Sequence, residues 1–191
     1  MEEMSDKELV DSFLEGDQAA FDLIVGRYFR AVFNFVYKIT PETPTAEDIT
    51  QEAFLKAWRN IRKYDTSRSF KTWIFTIAKN TAFDYLKKKK ELSFSAFRDD
   101  EGNNFLENVG SGEPLPDEII MKEDMPQKLE KAIEALPPKY KVVLNLRYKE
   151  YMSFPEIAEV MGESQNTVKS RHRRAVEALK KAISDLDATF L

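Results

Sequence analysis

Ser153-Phe-Pro-Glu-Ile-Ala-Glu-Val-Met-Gly-Glu-Ser-Gln-Asn-Thr-Val-Lys-Ser-Arg-His-Arg-Arg174 is the stretch on which the fold turns. Ser153 and Glu156 have capping-box spacing: the hydroxyl holds the third N–H of a new helix and the carboxylate reaches back to the cap. Pro155 falls in the first turn, where its missing N–H would be unpaired anyway. Ile157, Ala158 and Met161 give this short helix an apolar side, and Gly162 ends it at a position suited to left-handed backbone. Ser164 then caps a long second helix, in which Thr167, Val168, Ala175, Val176 and Leu179 recur at helical spacing. The small Ala158 lets the two helices approach closely, and Val168 packs one on the other. Two helices joined by a tight turn are the geometry of a helix-turn-helix.

The second helix is strongly basic. It displays Lys169, Arg171, Arg173 and Arg174, then Lys180 and Lys181, with Glu177 opposing them. A basic helix after a tight turn suits the major groove of duplex DNA. Gln165, Asn166, Lys169, Ser170 and Arg173 lie early enough to reach base edges, where Arg or Lys grips guanine and Gln or Asn grips adenine. Arg171, Arg174 and Lys180 are placed for phosphates. Ser164, with Thr167 beside it, can hold a further phosphate at the helix N-terminus. The competing reading is an ordinary helical hairpin with a solvated basic face.

Outward from this stretch the chain stays helical. Leu129, Ile133 and Leu136 form a stripe that ends at Pro137-Pro138, and Val142, Val143, Leu146 and Tyr148 follow. Pro126 marks either a helix start or a kink. Nearer the N-terminus, Ala20, Phe21, Ile24, Val25, Tyr28, Ala31, Val32, Phe35 and Val36 make one amphipathic stripe. Thr45 is expected to cap the next helix, with Asp48 as an acidic capping-box partner; Ile49, Ala53, Phe54, Ala57, Trp58 and Ile61 face its core. A third helix is expected from about Lys71 to Lys90, with Trp73, Ile74, Ile77, Ala78 and Ala82 inward. No segment alternates as a strand does.

Charge divides the chain in the same way. The 191 residues carry 29 Lys and Arg against 33 Asp and Glu, a net charge of −4 that argues mildly against nucleic acid. The average conceals blocks of −6 over residues 1–20, +2 over 21–64, +5 over 65–90, −8 over 91–124 and +3 over 125–191. The acidic central block holds Gly102, Gly110, Gly112, Pro114 and Pro116 and reads as a linker. The expected architecture is all-α: two small helical domains joined by a flexible acidic linker. Their bounds are 1–91, 92–122 and 123–191.

Ser69 to Lys90 interleaves aromatic rings with bases, the combination that single-stranded DNA needs for stacking and for backbone neutralisation. The plainer reading makes Trp73, Phe75 and Phe83 core and the lysines a solvated helix end. At this point the chain resembles a family. Ala46-Glu-Asp-Ile-Thr-Gln-Glu-Ala-Phe-Leu-Lys-Ala-Trp58 is similar to region 2.2 of bacterial sigma factors. Ser69-Phe-Lys-Thr-Trp-Ile, Ile77-Ala-Lys-Asn80 and Asp84-Tyr-Leu resemble regions 2.3–2.4. Leu136-Pro-Pro-Lys-Tyr, Leu146-Arg-Tyr and the stretch from Ser153 to Arg171 resemble region 4. The size and the direct tether between the two parts are similar to the extracytoplasmic-function (ECF, group 4) sigma factors.

That resemblance implies roles. It makes the N-terminal domain sigma region 2 and the C-terminal domain sigma region 4. Asp48, Gln51, Glu52 and Phe54 would meet the β′ clamp of core RNA polymerase. The loop residues Tyr64, Ser67, Arg68 and Phe70, with Lys71, Trp73, Lys79, Asn80 and Lys87 on the helix after them, would open the −10 element and hold it as single strand around a flipped base. Region 4 would read the −35 duplex and touch the β flap. The linker would run toward the RNA-exit path, with Asp99, Asp100 and Glu101 as acidic mimics of nucleic acid. An anti-sigma factor is the further expected partner.

Other classes are disfavoured. Cysteine is absent, and His172 is the one histidine, so thiolate metal sites, disulfides and histidine-paired metal centres are excluded. No catalytic residue, metal or cofactor is expected. No apolar run approaches the roughly 20 residues of a membrane span, and the acidic N-terminus is unlike a signal peptide, so a cytoplasmic protein is expected. Helical spacing puts His172 with Val168, Ala175 and Val176, as a ring filling a core slot; a pH-sensitive role is the alternative. A helix-turn-helix regulator with a ligand-sensing helical domain is a rival function. A helical enzyme using linker carboxylates is weaker, because a breaker-rich segment cannot fix two of them.

Overall fold

The computed structural model describes residues 4–96 and 126–188, and among them there is no strand. Eight helices account for nearly all of these residues. Helix α1 spans Asp6–Leu14, α2 Gln18–Ile39, α3 Thr43–Asn60 and α4 Phe70–Ala96. Helix α5 spans Pro126–Glu134, α6 Pro138–Leu144, α7 Phe154–Met161 and α8 Gln165–Ala188. Helix α4 therefore runs to Ala96; the rest of the expected linker, with Asp99, Asp100 and Glu101, lies outside the described residues.

Helix α1 was not anticipated. Ser5 and Glu8 form a complete capping box at its start. Leu9 and Val10 are buried. Asp6 ties the helix to α2 by accepting from Arg27 at 2.5 Å and from the Tyr28 hydroxyl. Asp17 caps α2 through the Ala19 N–H at 3.0 Å, and Ala20, Phe21, Ile24, Val32, Phe35 and Val36 are buried along the expected stripe.

The start of α3 corrects one expectation. Thr45 is not the cap: the helix begins at Thr43, and the Thr45 hydroxyl donates back to the Glu42 carboxylate at 3.0 Å. Pro44 is the reason, since its fixed φ preorganises the first turn and lets the helix start earlier. Ser69 caps α4 by accepting from the Thr72 N–H at 3.2 Å. Ile74, Phe75, Ala78 and Ala82 are fully buried, and the Phe75 ring meets Phe35 edge-on at 5.1 Å. Phe75 is thus core, as the plainer reading held, whereas Trp73, Ile77 and Phe83 are only partly covered.

In the second unit α5 starts at Pro126, so that proline opens a helix. Helix α6 runs into a wide π turn, Asn145–Lys149. The capping box before α7 is complete: Ser153 Oγ and N donate to Glu156 at 2.6 and 2.8 Å, and Glu156 N–H returns to Ser153 Oγ. Gly162 ends α7 at φ 67°, the left-handed region expected of it. Ser164 caps α8 through the Thr167 N–H at 3.1 Å.

The two units share a core. Val142, Val143, Leu146, Met152, Ile157, Ala158, Val160 and Val168 join the buried cluster built by α1 to α4. Helix α7 lies against α4, and α6 against α2. A smaller cluster of Leu136, Tyr140, Leu144 and Ala175 binds α5, α6 and α8 together. Each fully buried Phe, Leu or Ile stabilises the fold by roughly 1.5–3 kcal/mol before entropic costs. Ser153→Ala removes one half of the α7 box and is expected to cost about 1 kcal/mol; Gly162→Ala, forced into left-handed backbone, is expected to cost about 1–2 kcal/mol. Denaturant unfolding of the purified variants measures both.

Candidate nucleic-acid and polymerase interfaces

The residues expected to meet the −35 element lie together at the start of α8. Ser164, Gln165, Asn166, Thr167, Lys169, Ser170, Arg173 and Arg174 are all exposed on the first three turns of α8. Val168 and Ala175 face the opposite way and are buried. The helix is therefore anchored by one stripe and offers the other to a groove. Arg171 differs: it is half-buried and paired to Glu163 at 2.7 Å, which fixes the turn before α8 instead of leaving the guanidinium open. Arg173 keeps only a long 3.9 Å contact with Glu177.

His172 corrects the expectation of a closed core slot. Its ring lies at the edge of the helix, sharing a 3.0 Å hydrogen bond with Tyr148 Oη and meeting Phe154 edge-on at 5.3 Å. Arg147 sits over the same Phe154 ring at 5.1 Å. Burial first, and the Arg147 charge second, hold the imidazole below its ordinary value of 6.5. Tyr151 is the other unusual residue of this unit. It has φ 56°, is not glycine, and leaves 86% of its surface exposed.

The residues expected to meet the −10 element divide into a buried cluster and an outer face. Tyr64 and Phe70 are buried, and with Tyr28 and Trp73 they form one aromatic cluster whose ring centroids lie 4.9 to 5.6 Å apart. The Tyr64 hydroxyl donates to the Arg68 carbonyl at 2.5 Å. Burial, aided by Asp6, Asp65 and Glu159, pushes the Tyr64 phenol up to about 12. Ser67 N–H and Oγ both donate to Asp65, closing the loop as a tight turn. This loop is held in shape before any DNA arrives. Ser67, Arg68, Asn80 and Lys87 are exposed, while Lys71, Trp73 and Lys79 are half-buried.

Arg68, Lys71 and Lys79 all turn toward the second unit. Arg68 pairs with Glu159 at 3.0 Å. Lys71 Nζ holds both the carboxylate and the carbonyl of Glu150, at 2.9 and 2.8 Å. Lys79 reaches the Met161 carbonyl at 3.4 Å, and its burial lowers the ammonium below its ordinary value.

On α3, Asp48, Gln51 and Glu52 are exposed, and Glu52 pairs with Lys56 at 2.8 Å. Phe54 is buried and stacked on Phe29 at 5.9 Å, so it supports this face from beneath. Two apolar side chains that stand out instead are Leu55 and Trp58, 53% and 47% exposed. Trp58 had been read as core. Exposed apolar side chains in a row mark an interaction surface. No group of metal-ligating side chains occurs among the described residues, and no helix among them is long and apolar enough to cross a membrane.

A helix-turn-helix with an open basic face, joined to a helical unit with an aromatic–basic stripe, defines a DNA-reading protein of two helical units. Comparison with known proteins carries this further. The Sigma-70 region 2 family matches residues 24–91, and the Sigma-70, region 4 family matches residues 127–179. The ECF RNA polymerase sigma factor SigW of Bacillus subtilis is 33% identical over 186 residues, 96% of this chain and 100% of that one. The ECF RNA polymerase sigma-E factor of Escherichia coli K12 is 34% identical over 188 residues, 97% of each. The fold is shared with CnrH, solved in complex with the cytosolic domain of CnrY (TM-score 0.64, 24% identity, 96% and 97% coverage). It is shared also with RpoE of Bartonella quintana, solved with the anti-sigma factor NepR (TM-score 0.65, 23% identity, 86% and 96% coverage). The chain belongs to the sigma-70 family, as a sigma factor of the ECF type. It binds core RNA polymerase and directs promoter recognition and opening in transcription initiation.

The His172 geometry has a pH consequence. The native state disfavours the protonated ring, so acidification through the unfolded-state value near 6.5 draws protons preferentially to the unfolded chain and lowers stability. His172→Leu is expected to abolish this loss. Thermal unfolding of both proteins between pH 7.5 and 5.5 should show the wild type falling relative to the variant as pH drops.

Proposed function

We propose that the two DNA faces and the α3 face divide the work of initiation by residue. Region 2 (residues 1–91) docks on the β′ clamp and takes the −10 strand; residues 92–122 link it to region 4 (residues 123–191), which reads the −35 duplex and touches the β flap. The observation that carries this reading is the open stripe of α8, where Gln165, Asn166, Lys169, Ser170 and Arg173 share one exposed face backed by buried Val168 and Ala175. Early recognition-helix residues are those that reach base edges. Arg174 and Ser164 fit phosphates, and Arg171 sets the turn through Glu163.

On α3, Asp48, Gln51 and Glu52 meet the polymerase with Leu55 and Trp58 beside them. Leu55 and Trp58 extend the expected site, and Phe54 acts from beneath. On α4 and its loop, Ser67, Arg68, Lys71, Lys79, Asn80 and Lys87 contact the strand, over a base of Tyr64, Phe70 and Trp73. The protein is cytoplasmic and is not an enzyme, because the phosphoryl-transfer chemistry belongs to the polymerase. It works under an anti-sigma partner, as the complexes of CnrH with CnrY and RpoE with NepR support for their own chains.

Reconstitution with core RNA polymerase, followed by mapping of transcript starts, tests the function. Starts that share no −35 and −10 elements would overturn it. Lys169→Ala and Arg173→Ala are each expected to cost about 1–3 kcal/mol and to relax preference at single −35 positions, whereas Arg174→Ala should weaken all sequences alike and reduce the salt slope by about one. Trp58→Ala is expected to weaken core polymerase binding by about 2 kcal/mol or more, as a desolvated aromatic anchor does. Holoenzyme assembly followed by fluorescence anisotropy reads that loss.

A further inference from the structure

One polar tie holds α8 from the side. Val168, His172 and Ala175 lie at i, i+4 and i+7 of this helix, a single stripe. Val168 and Ala175 are buried, and apolar burial has no direction of its own. His172, between them, instead shares the 3.0 Å hydrogen bond with Tyr148 Oη, and a hydrogen bond constrains angle as well as distance. Its anchor is firmly held. Arg147 donates to the Met152 carbonyl at 3.0 Å, Met152 N–H to the Leu146 carbonyl at 2.9 Å, and Glu150 N–H to the Asn145 carbonyl at 3.1 Å. Tyr151, at φ 56°, is the corner of this loop, in a conformation that persists only where the surroundings impose it. The consecutive residues Arg147 and Tyr148 of the π turn both reach the Phe154–His172 ring pair.

Lys169 and Arg173 each follow a member of this stripe by one residue, so a small rotation of α8 about its axis shifts both against the base edges they would read. We propose that the Tyr148–His172 bond is a proton-sensitive brace of α8: with a neutral ring it fixes the azimuth at which Lys169 and Arg173 meet base edges, and with a charged ring it lets go, so that in acid the protein tells its −35 element less well from other duplex. The inference rests on the reading of α8 as the helix that enters the −35 duplex.

The groups around the ring set the sign of the effect. Arg147, on the turn before α7, carries the charge that faces it, over the same Phe154 ring. Phe154, at the start of α7, meets it without charge, and Tyr148 with a neutral hydroxyl. On α8 itself Arg171 is engaged with Glu163, and Arg173 keeps its long contact with Glu177. Among the described residues no carboxylate pairs with the imidazole. A protonated ring could still donate from Nε2 to Tyr148, so charge, not a missing donor, opposes the braced form. Half-burial withholds water from an imidazolium and Arg147 repels it, so the braced ring is held neutral to a pH below its ordinary 6.5. Swung outward, the ring regains water and titrates in its ordinary range, so acid favours the released form. The released charge also adds to the basic face and attracts phosphates of any sequence. Selectivity therefore falls while binding to duplex in general does not.

Holoenzyme assembled with the full chain is titrated against two fluorescent duplexes, one carrying the −35 element shared by the mapped transcript starts and one with that element scrambled. The ratio of the two affinities is expected to fall roughly fivefold for wild type between pH 7.5 and 5.5, as the loss of one oriented hydrogen bond allows, with affinity for the scrambled duplex steady or higher. His172→Gln, whose amide can share the Tyr148 bond but takes no proton, is expected to keep the neutral ratio at both pH values. Tyr148→Phe removes the bond without touching α8 and is expected to show the lowered ratio already at pH 7.5. Thermal melts at pH 7.5 within a few degrees of wild type show that both variants are folded. A wild-type ratio that does not change with pH, a His172→Gln ratio that falls as the wild type's does, or a Tyr148→Phe ratio equal to wild type at pH 7.5 overturns the brace. A ratio near one for all three proteins at pH 7.5 overturns instead the assignment of α8 to the −35 duplex.

Discussion

Helix α4 has to satisfy two surroundings at once, and the remaining elements are arranged around that demand. Over its 27 residues one side supplies Ile74, Phe75, Ala78 and Ala82 to the core built with α2 and α3. Along the edge of that same side run the cations at 71 and 79, one turn before and one turn after Phe75, with Arg68 just before the helix start. Ammonium and guanidinium groups lose hydration when half-covered, and only hydrogen-bonded acceptors offset that loss. The acceptors are carboxylates and carbonyls of the second unit.

The other faces are built differently. The exposed basic stripe of α8 is anchored by Val168 and Ala175, and the tight turn before it is braced by Arg171 on Glu163. The α3 face, with Asp48, Gln51, Glu52, Leu55 and Trp58, is exposed. Tyr64, Phe70 and Trp73 stack into a platform, so the loop between Tyr64 and Phe70 is organised by the packing of its own rings.

Local signals were legible in the sequence wherever one residue type answers one backbone need. The Ser153–Glu156 box, the left-handed Gly162 and the Ser164 cap all stand where their chemistry placed them. The same rule could have found α1, because Ser5 and Glu8 repeat the box spacing; an acidic composition drew the reading away from it. Thr45 was misassigned because proline at the first turn outweighs a hydroxyl three residues in. Phe54 is core, as its place in the apolar stripe implied, but Trp58 of the same stripe stands out. They are four residues apart on one helix, and periodicity alone cannot say which end of an apolar stripe the neighbouring helices reach. The open face of α8 was legible because charge and apolar residues alternate there at helical period. The closure of the α4 face was not, since the pairing of Lys71 with Glu150 spans 79 positions and nothing local encodes it.

That long separation has a consequence in time. The contacts within α1 to α4 join residues that leave the ribosome early, whereas the partners of Arg68, Lys71 and Lys79 in the second unit follow them by 91, 79 and 82 residues. At the usual rate of synthesis this interval is on the order of 5–20 s. Non-local contacts form late also because their loop-closure entropy must be met before they are rewarded. The basic stripe of every new chain therefore lacks these partners for that interval. The −6 charge of residues 1–20 and the −8 of residues 91–124 bracket the stripe in the order of emergence. In sequence, the basic stripe thus emerges between two blocks of opposite charge.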